Sequence, residues 1–251
     1  MIELRRAVLE ANMALERTGL VTLSFGNVSG VDREAGVLVI KPSGVPYARL
    51  RAEDMVAVSL ADGRVVDGSL RPSTDTPTHR LLYLEFAEVG GVVHTHSPYA
   101  SAWAQASRPI PCLGTTHADF FRGSVPASRP LTPAEIAGDY ELETGRVITE
   151  TLRSSGRTAT DSPAVLVSSH GPFAWGASPS AAVEVAIALE AVAAMALRTL
   201  LIAPATAEVG SDLLRRHFDR KHGVSAYYGQ PADDLPATGQ PAGVRDGTDQ
   251  A

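Results

Sequence analysis

The sequence predicts an α/β fold in which helices cover a mixed or mainly antiparallel sheet. Two observations support this prediction: short β-branched runs alternate with amphipathic helical segments, and the regular strand, helix, strand units of a doubly wound parallel sheet are missing. The chain has 251 residues, of which 44% are apolar and 20% charged. This composition is sufficient for one large domain with a buried core.

Helix boundaries are indicated by capping residues and by apolar side chains at helical spacing. Leu4, Val8, Ala11 and Leu15 recur on one helical face before Gly19. Several later helices are predicted where Ser or Thr precedes a first-turn proline. The later helices run from Thr76 to about Phe86, from Pro98, from the Thr132-Pro133-Ala134-Glu135 capping box, from Ser178-Pro179 to Ala203, and from Ser211 to His222.

Short apolar runs between turn residues predict the strands. These runs are Val37 to Ile40, Met55 to Ser59, Gly91 to His96, and Val165 to Ser168. After Gln230 the chain contains almost no residues that could be buried. We therefore expect one domain over residues 1–230 and a disordered tail over residues 231–251.

Charge and composition exclude several classes of partner. The formal net charge is −6, which disfavours binding to nucleic acid, and the basic run Arg215, Arg216, Arg220 and Lys221 is expected to form a solvated helix face. The apolar stretch 181–203 is interrupted by charged residues, so we predict a buried helix and no membrane contact. The single cysteine and the absence of a secretion-type opening segment predict a cytoplasmic protein.

Three histidines form a candidate metal site. His94 and His96 alternate on a predicted strand, so both imidazoles point to the same face, and His170 follows a different predicted strand. Three imidazoles give an open zinc site, which either activates a water molecule or polarises a bound carbonyl. No His-Glu-x-x-His motif suggests a hydrolase, and the polar loops described next favour the carbonyl.

Three polar loops are candidate anion sites. The segments Ser24 to Ser29 and Lys41 to Gly44 combine hydroxyl, amide or amine groups with glycine, which allows close backbone approach. The segment Ser73 to Thr76 lies at a predicted helix start, where free N–H groups favour an anion. Three such loops on a chain with a candidate metal site predict a phosphorylated substrate. No Gly-x-x-x-x-Gly-Lys loop or dinucleotide glycine pattern is present, so we do not expect a nucleotide triphosphate.

These residues resemble the L-ribulose-5-phosphate 4-epimerases, a family within the class II aldolase and epimerase superfamily. The resemblance covers roughly Glu10 to Gln230, through GLVTLSFGNVSGVDRE, VIKPSGVPY, PSTDTPTHRLLY, GGVVHTHSPYASAWAQA, GTTHADFF, SSHGPFAWG and KHGVSAYYGQ. It implies a layered α/β/α sandwich of the class II aldolase type with a central, mainly antiparallel sheet. The implied reaction interconverts L-ribulose 5-phosphate and D-xylulose 5-phosphate by cleavage and re-formation of the bond between carbons 3 and 4.

The resemblance also implies roles for individual residues. His94, His96 and His170 would bind one divalent metal, Zn²⁺, with Asp75 at or beside it. Asp119 and Tyr228 would transfer protons, the tyrosine coming from a neighbouring subunit of a four-fold symmetric homotetramer. A second serine is usual where this chain has Thr74. The implied positions for substrate and phosphate are Gly26, Asn27, Ser43, Gly44, Ser73 and Thr74. Glu141, Thr115, His117 and His217 are further candidates for lining this pocket.

Two rival functions remain open. A sugar-phosphate aldolase of the same superfamily, such as L-fuculose-phosphate aldolase, would use the same metal but release the two fragments. Such aldolases carry a glutamate base where this chain has Asp75, and they lack the pair of Asp119 and Tyr228. A noncatalytic scaffold on the same fold is expected to lose the metal histidines, whereas this chain retains all three.

Overall fold

The computed structural model of the chain describes residues 1–224 and 226–228. A single seven-stranded sheet forms its centre, and every neighbouring pair of strands is antiparallel. The strand order is β4-β3-β2-β1-β5-β7-β6. The strands are β1 (Asn27–Asp32), β2 (Val37–Ile40), β3 (Val56–Ser59), β4 (Val65–Asp67), β5 (Gly91–His94), β6 (Ala164–Val167) and β7 (Gly171–Gly176).

Helices cover both faces of this sheet. One layer contains α1, α3 and α7, and the opposite layer contains α2 and α6. The helices are α1 (Ile2–Arg17), α2 (Thr76–Glu85), α3 (Pro98–Gln105), α4 (Thr115–Ala118), α5 (Pro133–Ala137), α6 (Tyr140–Ser155), α7 (Pro179–Ile202) and α8 (Ser211–His222). The predicted fold class, a central antiparallel sheet flanked by helices, is confirmed.

Alternation along the strands explains the two layers. On β5, Val93 packs into the cluster with α1, α3 and α7, whereas Val92 packs into the cluster with α2 and α6. Leu166 and Val167 divide in the same way on β6. Because successive side chains of a strand point to opposite faces, an apolar run can fill both layers at once. His94 has the parity of Val92 and therefore points toward the α2 and α6 side.

Several element boundaries differ from those that the sequence predicts. The strand predicted over Gly91 to His96 ends at His94, and Asp75 rather than Thr76 is the N-cap of α2. The polar segment beginning at Asn27 forms β1 rather than a loop, and β4, β7 and α6 were not predicted. Asn, Ser, Gly and Pro are frequent in β1 and β7, and these residues have low strand propensity. The predicted tail 231–251 lies outside the described residues.

Helix α7 is long and apolar enough to cross a membrane by length and composition. Its buried positions, which include Ala182, Val183, Leu189, Val192 and Ala193, form part of the core beside α1, α3 and the sheet. A helix that is part of a protein core can meet the same criteria of length and hydropathy. This position agrees with the predicted buried helix.

Candidate active site

The candidate site lies where three neighbouring strands bring one row of side chains together. Asn27 on β1 pairs with His94 on β5, and His94 pairs with Phe173 on β7. The His94 ring stacks on the Phe173 ring, with centroids 4.1 Å apart and an interplanar angle of 16°. The pairing registers of the sheet therefore place His94, the first candidate metal ligand, between the Asn27 amide and the Phe173 ring.

The three predicted histidines converge beside this row. His94 Nε2 lies 3.0 Å from His96 Nε2, and the His170 ring centroid lies 4.7 Å from that of His94 and 5.1 Å from that of His96. One ligand atom from each residue can be chosen so that all three lie within 4.8 Å of one another. Imidazole nitrogens bind zinc at about 2.0 to 2.1 Å, so tetrahedral ligands would lie about 3.3 Å apart. The 3.0 Å between His94 Nε2 and His96 Nε2 is near this spacing, and a nitrogen of His170 lies within 4.8 Å of the ligand atoms of both.

The protonation states of the histidines in this cluster also suit the binding of a cation. His94 Nδ1 lies 3.0 Å from the Pro172 carbonyl oxygen, so Nδ1 carries the proton and Nε2 presents its lone pair to the cluster. Burial lowers the pKa of His94 below its usual value, and burial together with the neighbouring His94 and His96 lowers the pKa of His170 to about 4. Neutral imidazoles are the form that binds a metal.

The hairpin between β6 and β7 brings His170 to the cluster. Its three-residue loop is Ser168 to His170, and Ser169 has φ +60°. Three-residue hairpin loops commonly require one residue with left-handed backbone, because the turn must match the twist of the strands. The backbone N–H of His170 donates to the Val167 carbonyl at 3.0 Å. The turn geometry therefore positions the third histidine.

Asp75 lies beside the histidines but outside the group of three. Its Oδ2 accepts a hydrogen bond from Asn27 Nδ2 at 2.6 Å, and Ser73 Oγ lies 3.1 Å from the same nitrogen. Burial alone would raise the pKa of this carboxyl group. Nearby His94 and His79 and the bond from Asn27 outweigh burial and hold the pKa below its usual range. An ionised carboxylate therefore stands next to the candidate metal position.

A cavity of about 380 Å³ opens over the histidines. Ten predicted residues line it, namely Gly26, Asn27, Ser43, Gly44, Ser73, Thr74, Asp75, His94, His96 and His170. The structure thus brings together every residue that was predicted for substrate or metal. Their roles in binding remain predictions.

Gly26 is required at the cavity wall by its backbone. Its φ is +80°, and a Cβ atom at this position would lie 2.9 Å from Val21 Cγ1 and 3.0 Å from the His94 carbonyl oxygen. Any larger side chain would combine left-handed strain with steric overlap. The glycine in the Ser24 to Ser29 segment therefore lets this loop approach the end of β5.

Lys41 supplies a buried positive charge to the cavity. Its ammonium donates to the Ser24 carbonyl at 3.2 Å and lies 4.8 Å from the centre of the Tyr47 ring. Burial lowers the pKa of Lys41 to about 8. Within residues 1–224 and 226–228, no carboxylate lies at ion-pair distance from this ammonium group. A buried cation without a counter-ion favours an anionic ligand.

Asp119 and Tyr228 lie outside this cavity, to judge from the part of the chain that the structure describes. The Asp119 carboxylate accepts hydrogen bonds from Arg220 at 2.9 and 2.6 Å and lies 3.0 Å from His217 Nδ1. Burial would raise its pKa, but these bonds to Arg220 and His217 lower it. Tyr228 is half-exposed, with its ring centre 4.8 Å from the Arg220 guanidinium. Within one chain, the cluster of Asp119, His217 and Arg220 therefore lies apart from the three histidines.

Tyr140 lines the cavity but was not predicted. Its hydroxyl lies 3.4 Å from His170 Nδ1, and its neighbour Glu141 also faces the cavity. Both residues open α6, a helix that was not predicted, although Asp139 before them is a residue that commonly caps helices. Two other candidates lie elsewhere: His117 is buried against the Gly123 carbonyl, and His217 contacts Asp119.

Comparison with known proteins gives one family and many similar structures. Residues 6–197 match the class II aldolase and adducin N-terminal domain. An L-fuculose 1-phosphate aldolase superposes with a TM-score of 0.73 at 20% identity, covering 87% of this chain and 95% of that one. L-fuculose-1-phosphate aldolase from Thermus thermophilus gives 0.63 at 27% identity, with coverages of 82% and 100%. YgbL from Klebsiella pneumoniae, provisionally described as an aldolase/epimerase/decarboxylase, gives 0.67 at 25% identity, with coverages of 85% and 97%.

Proposed function

The chain belongs to the class II aldolase and adducin N-terminal domain family, and on that premise we propose that it is an L-ribulose-5-phosphate 4-epimerase. The family includes metal-dependent aldolases and epimerases that act on sugar phosphates. The proposed reaction inverts carbon 4 of L-ribulose 5-phosphate to give D-xylulose 5-phosphate. We further propose that the metal is Zn²⁺, that the enzyme is cytoplasmic and that residues 1–230 form one domain.

One observation is the main support for this proposal. The three histidines and the buried cation of Lys41 line the same cavity of about 380 Å³. A sugar phosphate has two groups that need such partners, a carbonyl with its neighbouring hydroxyl and a phosphate. The presence of all three histidines also argues against a noncatalytic scaffold, which would have no use for them.

The residues that line the cavity form two groups, one for the metal and one for the phosphate. His94, His96 and His170, with Asp75 beside them, would hold the divalent metal, which when bound supplies a Lewis acid for the carbonyl. Backbone N–H groups and hydroxyls at Ser43, Gly44, Ser73 and Thr74, together with Lys41, would bind the phosphate. In this proposal, the two groups of residues together would hold the sugar phosphate at its carbonyl and at its phosphate.

Inversion at carbon 4 requires two proton-transferring groups. After cleavage, the aldehyde fragment must present its other face before the bond re-forms, so its oxygen exchanges a proton with one partner on each side. We assign these roles to Asp119 and Tyr228. Both lie outside the cavity of their own chain, so a neighbouring subunit of a homotetramer would contribute them. The half-exposed Tyr228 ring is accessible for such a contact.

A sugar-phosphate aldolase is the second candidate. Two of the three similar structures described above are L-fuculose-1-phosphate aldolases, one of them 27% identical to this chain. An aldolase would use the same histidines and release both fragments. The sequence favours the epimerase because Asp75 replaces the longer glutamate base and because Asp119 and Tyr228 are both present.

A product assay distinguishes these candidates. The purified protein is incubated with Zn²⁺ and L-ribulose 5-phosphate, and the products are resolved by NMR. The proposal expects D-xylulose 5-phosphate at equilibrium with only trace glycolaldehyde phosphate. Accumulation of free glycolaldehyde phosphate, or cleavage of L-fuculose 1-phosphate without epimerisation of ribulose 5-phosphate, would favour the aldolase.

A further inference from the structure

A buried network of three polar side chains lies beneath the candidate metal site and has no role in the reaction described above. Ser29 Oγ lies 2.7 Å from His79 Nδ1 and 2.7 Å from the Tyr83 hydroxyl. All three side chains are fully buried. Polar groups are costly to bury, and apolar residues of similar size could fill the same space. The arrangement therefore calls for an explanation other than core packing.

This network joins β1, which carries Asn27, to α2, which begins after Asp75. Ser29 lies on β1 two residues after Asn27, on the same face of the sheet. His79 lies on α2 one turn after Asp75, the residue at which that helix starts. Asn27 and Asp75 contact each other at 2.6 Å. The pair of Ser29 and His79 is thus a second link between the same strand and the same helix.

His79 also reaches the histidine cluster through an aromatic ring. Its ring meets Phe173 edge-on, with centroids 5.9 Å apart and an angle of 72°. The face of Phe173 stacks on His94 at 4.1 Å. A change at His79 can therefore be transmitted to Asp75 along α2 and to His94 through Phe173.

We propose that His79 is a positioning residue that, through its contact with Ser29, holds Asp75 and His94 in place for the metal. This inference rests on the metal-binding part of the proposed function. Groups behind metal ligands commonly change metal affinity by 10- to 100-fold when they are removed, because they fix the orientation of the ligands. His79 touches neither the cavity nor the reacting atoms, so it acts only through its neighbours.

The first test measures metal affinity, independently of the reaction. Zn²⁺ is titrated against a chromophoric chelator in the presence of wild-type protein, His79→Leu, Ser29→Ala and His79→Asn. Leu removes the contact with Ser29, whereas Asn can restore a polar atom near the former Nδ1. We expect at least tenfold weaker Zn²⁺ binding for His79→Leu and Ser29→Ala, and recovery of most of the affinity for His79→Asn.

Leu82→Ala provides the matched control. Leu82 is buried on the same helix three residues beyond His79 and belongs to the apolar core. Its truncation therefore destabilises α2 without removing the polar network. We expect Leu82→Ala to lower the melting temperature while Zn²⁺ affinity stays within twofold of the wild type. The absorption spectrum of bound Co²⁺ should shift in His79→Leu and stay unchanged in Leu82→Ala.

Three results would decide against this inference or its premise. Equal affinity in wild type, His79→Leu and Ser29→Ala would overturn the positioning role. An equal loss in Leu82→Ala and His79→Leu would reduce the effect to general destabilisation. Absence of Zn²⁺ binding in the wild type would instead remove the metal site itself, which distinguishes failure of the premise from failure of the inference. If His79→Leu does not fold, the smaller change Ser29→Ala decides the question.

Discussion

Lys41 is a buried ammonium group whose positive charge is available for a ligand. Replacing it with methionine keeps much of the volume and removes the charge. A charge-assisted hydrogen bond is worth about 1.5 to 3 kcal/mol, so we expect Lys41→Met to weaken binding of inorganic phosphate by roughly 10- to 100-fold. Isothermal titration of both proteins at pH 7 measures the difference. Equal affinity would exclude Lys41 from the phosphate site.

The pH dependence of phosphate binding follows from the same group. Burial lowers the pKa of Lys41 to about 8, so the free protein carries the charge below pH 8 and loses it as the pH rises further. Phosphate stays a dianion in that range, and we therefore expect its affinity to fall above pH 8. Lys41→Met supplies the control, because its affinity should stay nearly constant over the same interval. A matching decline in both proteins would assign the pH effect to another group.

Substitutions at Asp119 and Tyr228 are predicted to lower the rate of epimerisation without weakening metal binding. Neither side chain lines the cavity of its own chain, within the residues that the structure describes. Removal of a well-placed general acid or base costs about 100- to 10,000-fold in rate. We expect Asp119→Asn and Tyr228→Phe each to slow epimerisation by that factor while one Zn²⁺ per subunit is retained. Full activity of Tyr228→Phe, or loss of its zinc, would contradict this assignment.

At the scale of elements, a carboxylate on one helix caps another helix beside the site. Glu190 on α7 accepts hydrogen bonds from the backbone N–H groups of Tyr99 and Ala100, at 2.8 and 2.9 Å, in the first turn of α3. Ser97, the N-cap residue of α3, makes no side-chain capping bond. His96 lies two residues before Pro98, the first residue of α3. Glu190 therefore also stabilises the segment that carries the second histidine.

Removal of this cap should destabilise the protein measurably. Glu190→Ala leaves two partly buried N–H groups without their acceptor, and we expect it to lower the free energy of unfolding by about 1 to 3 kcal/mol. Glu190→Gln keeps one oxygen acceptor and should lose less. Urea denaturation followed by circular dichroism compares the three proteins. An alanine variant as stable as the wild type would show that solvent caps α3 equally well.

At the scale of the whole molecule, the cluster of Asp119, His217 and Arg220 joins α8 to the end of α4 on a surface away from the histidines. If a neighbouring subunit completes each cavity, a cyclic arrangement would bring this surface of one chain to the histidines of the next. Head-to-tail contacts close into a ring when the rotation from one subunit to the next divides a full turn, as in a four-fold tetramer. The proposed tetramer therefore predicts that a complete site requires two chains.

Mixing inactive variants tests that prediction. Tyr228→Phe keeps the histidines, and His96→Asn keeps the tyrosine, so a site at a hybrid interface can contain both intact residues. Random mixing of equal amounts in a head-to-tail ring should restore up to about a quarter of the wild-type activity. Unmixed samples of each variant, taken through the same unfolding and refolding, serve as controls. If both residues act within one chain, no mixture will recover activity.

The sequence alone determined the local features of the protein. Helical spacing and capping residues predicted α1, α2, α7 and α8 to within a few residues, because each signal lies within the element that it marks. Two-residue alternation likewise indicated that His94 and His96 share a face. The polar loops and His170 were selected as site residues without knowledge of the sheet. Each loop contributes residues to one cavity, and His170 lines the same cavity.

Only the tertiary structure decided how distant segments meet. The strand order places β1 and β7 on either side of β5, and this order sets Asn27 and Phe173 against His94. No local pattern encodes such pairing, since β1 and β7 are poor in strand-forming residues and are stabilised mainly by their neighbours. The same long-range packing keeps Asp119 away from the histidines of its own chain and buries Lys41 without a counter-ion among the described residues. Contacts between segments far apart in sequence depend on the whole chain, and for that reason the structure was needed to reveal them.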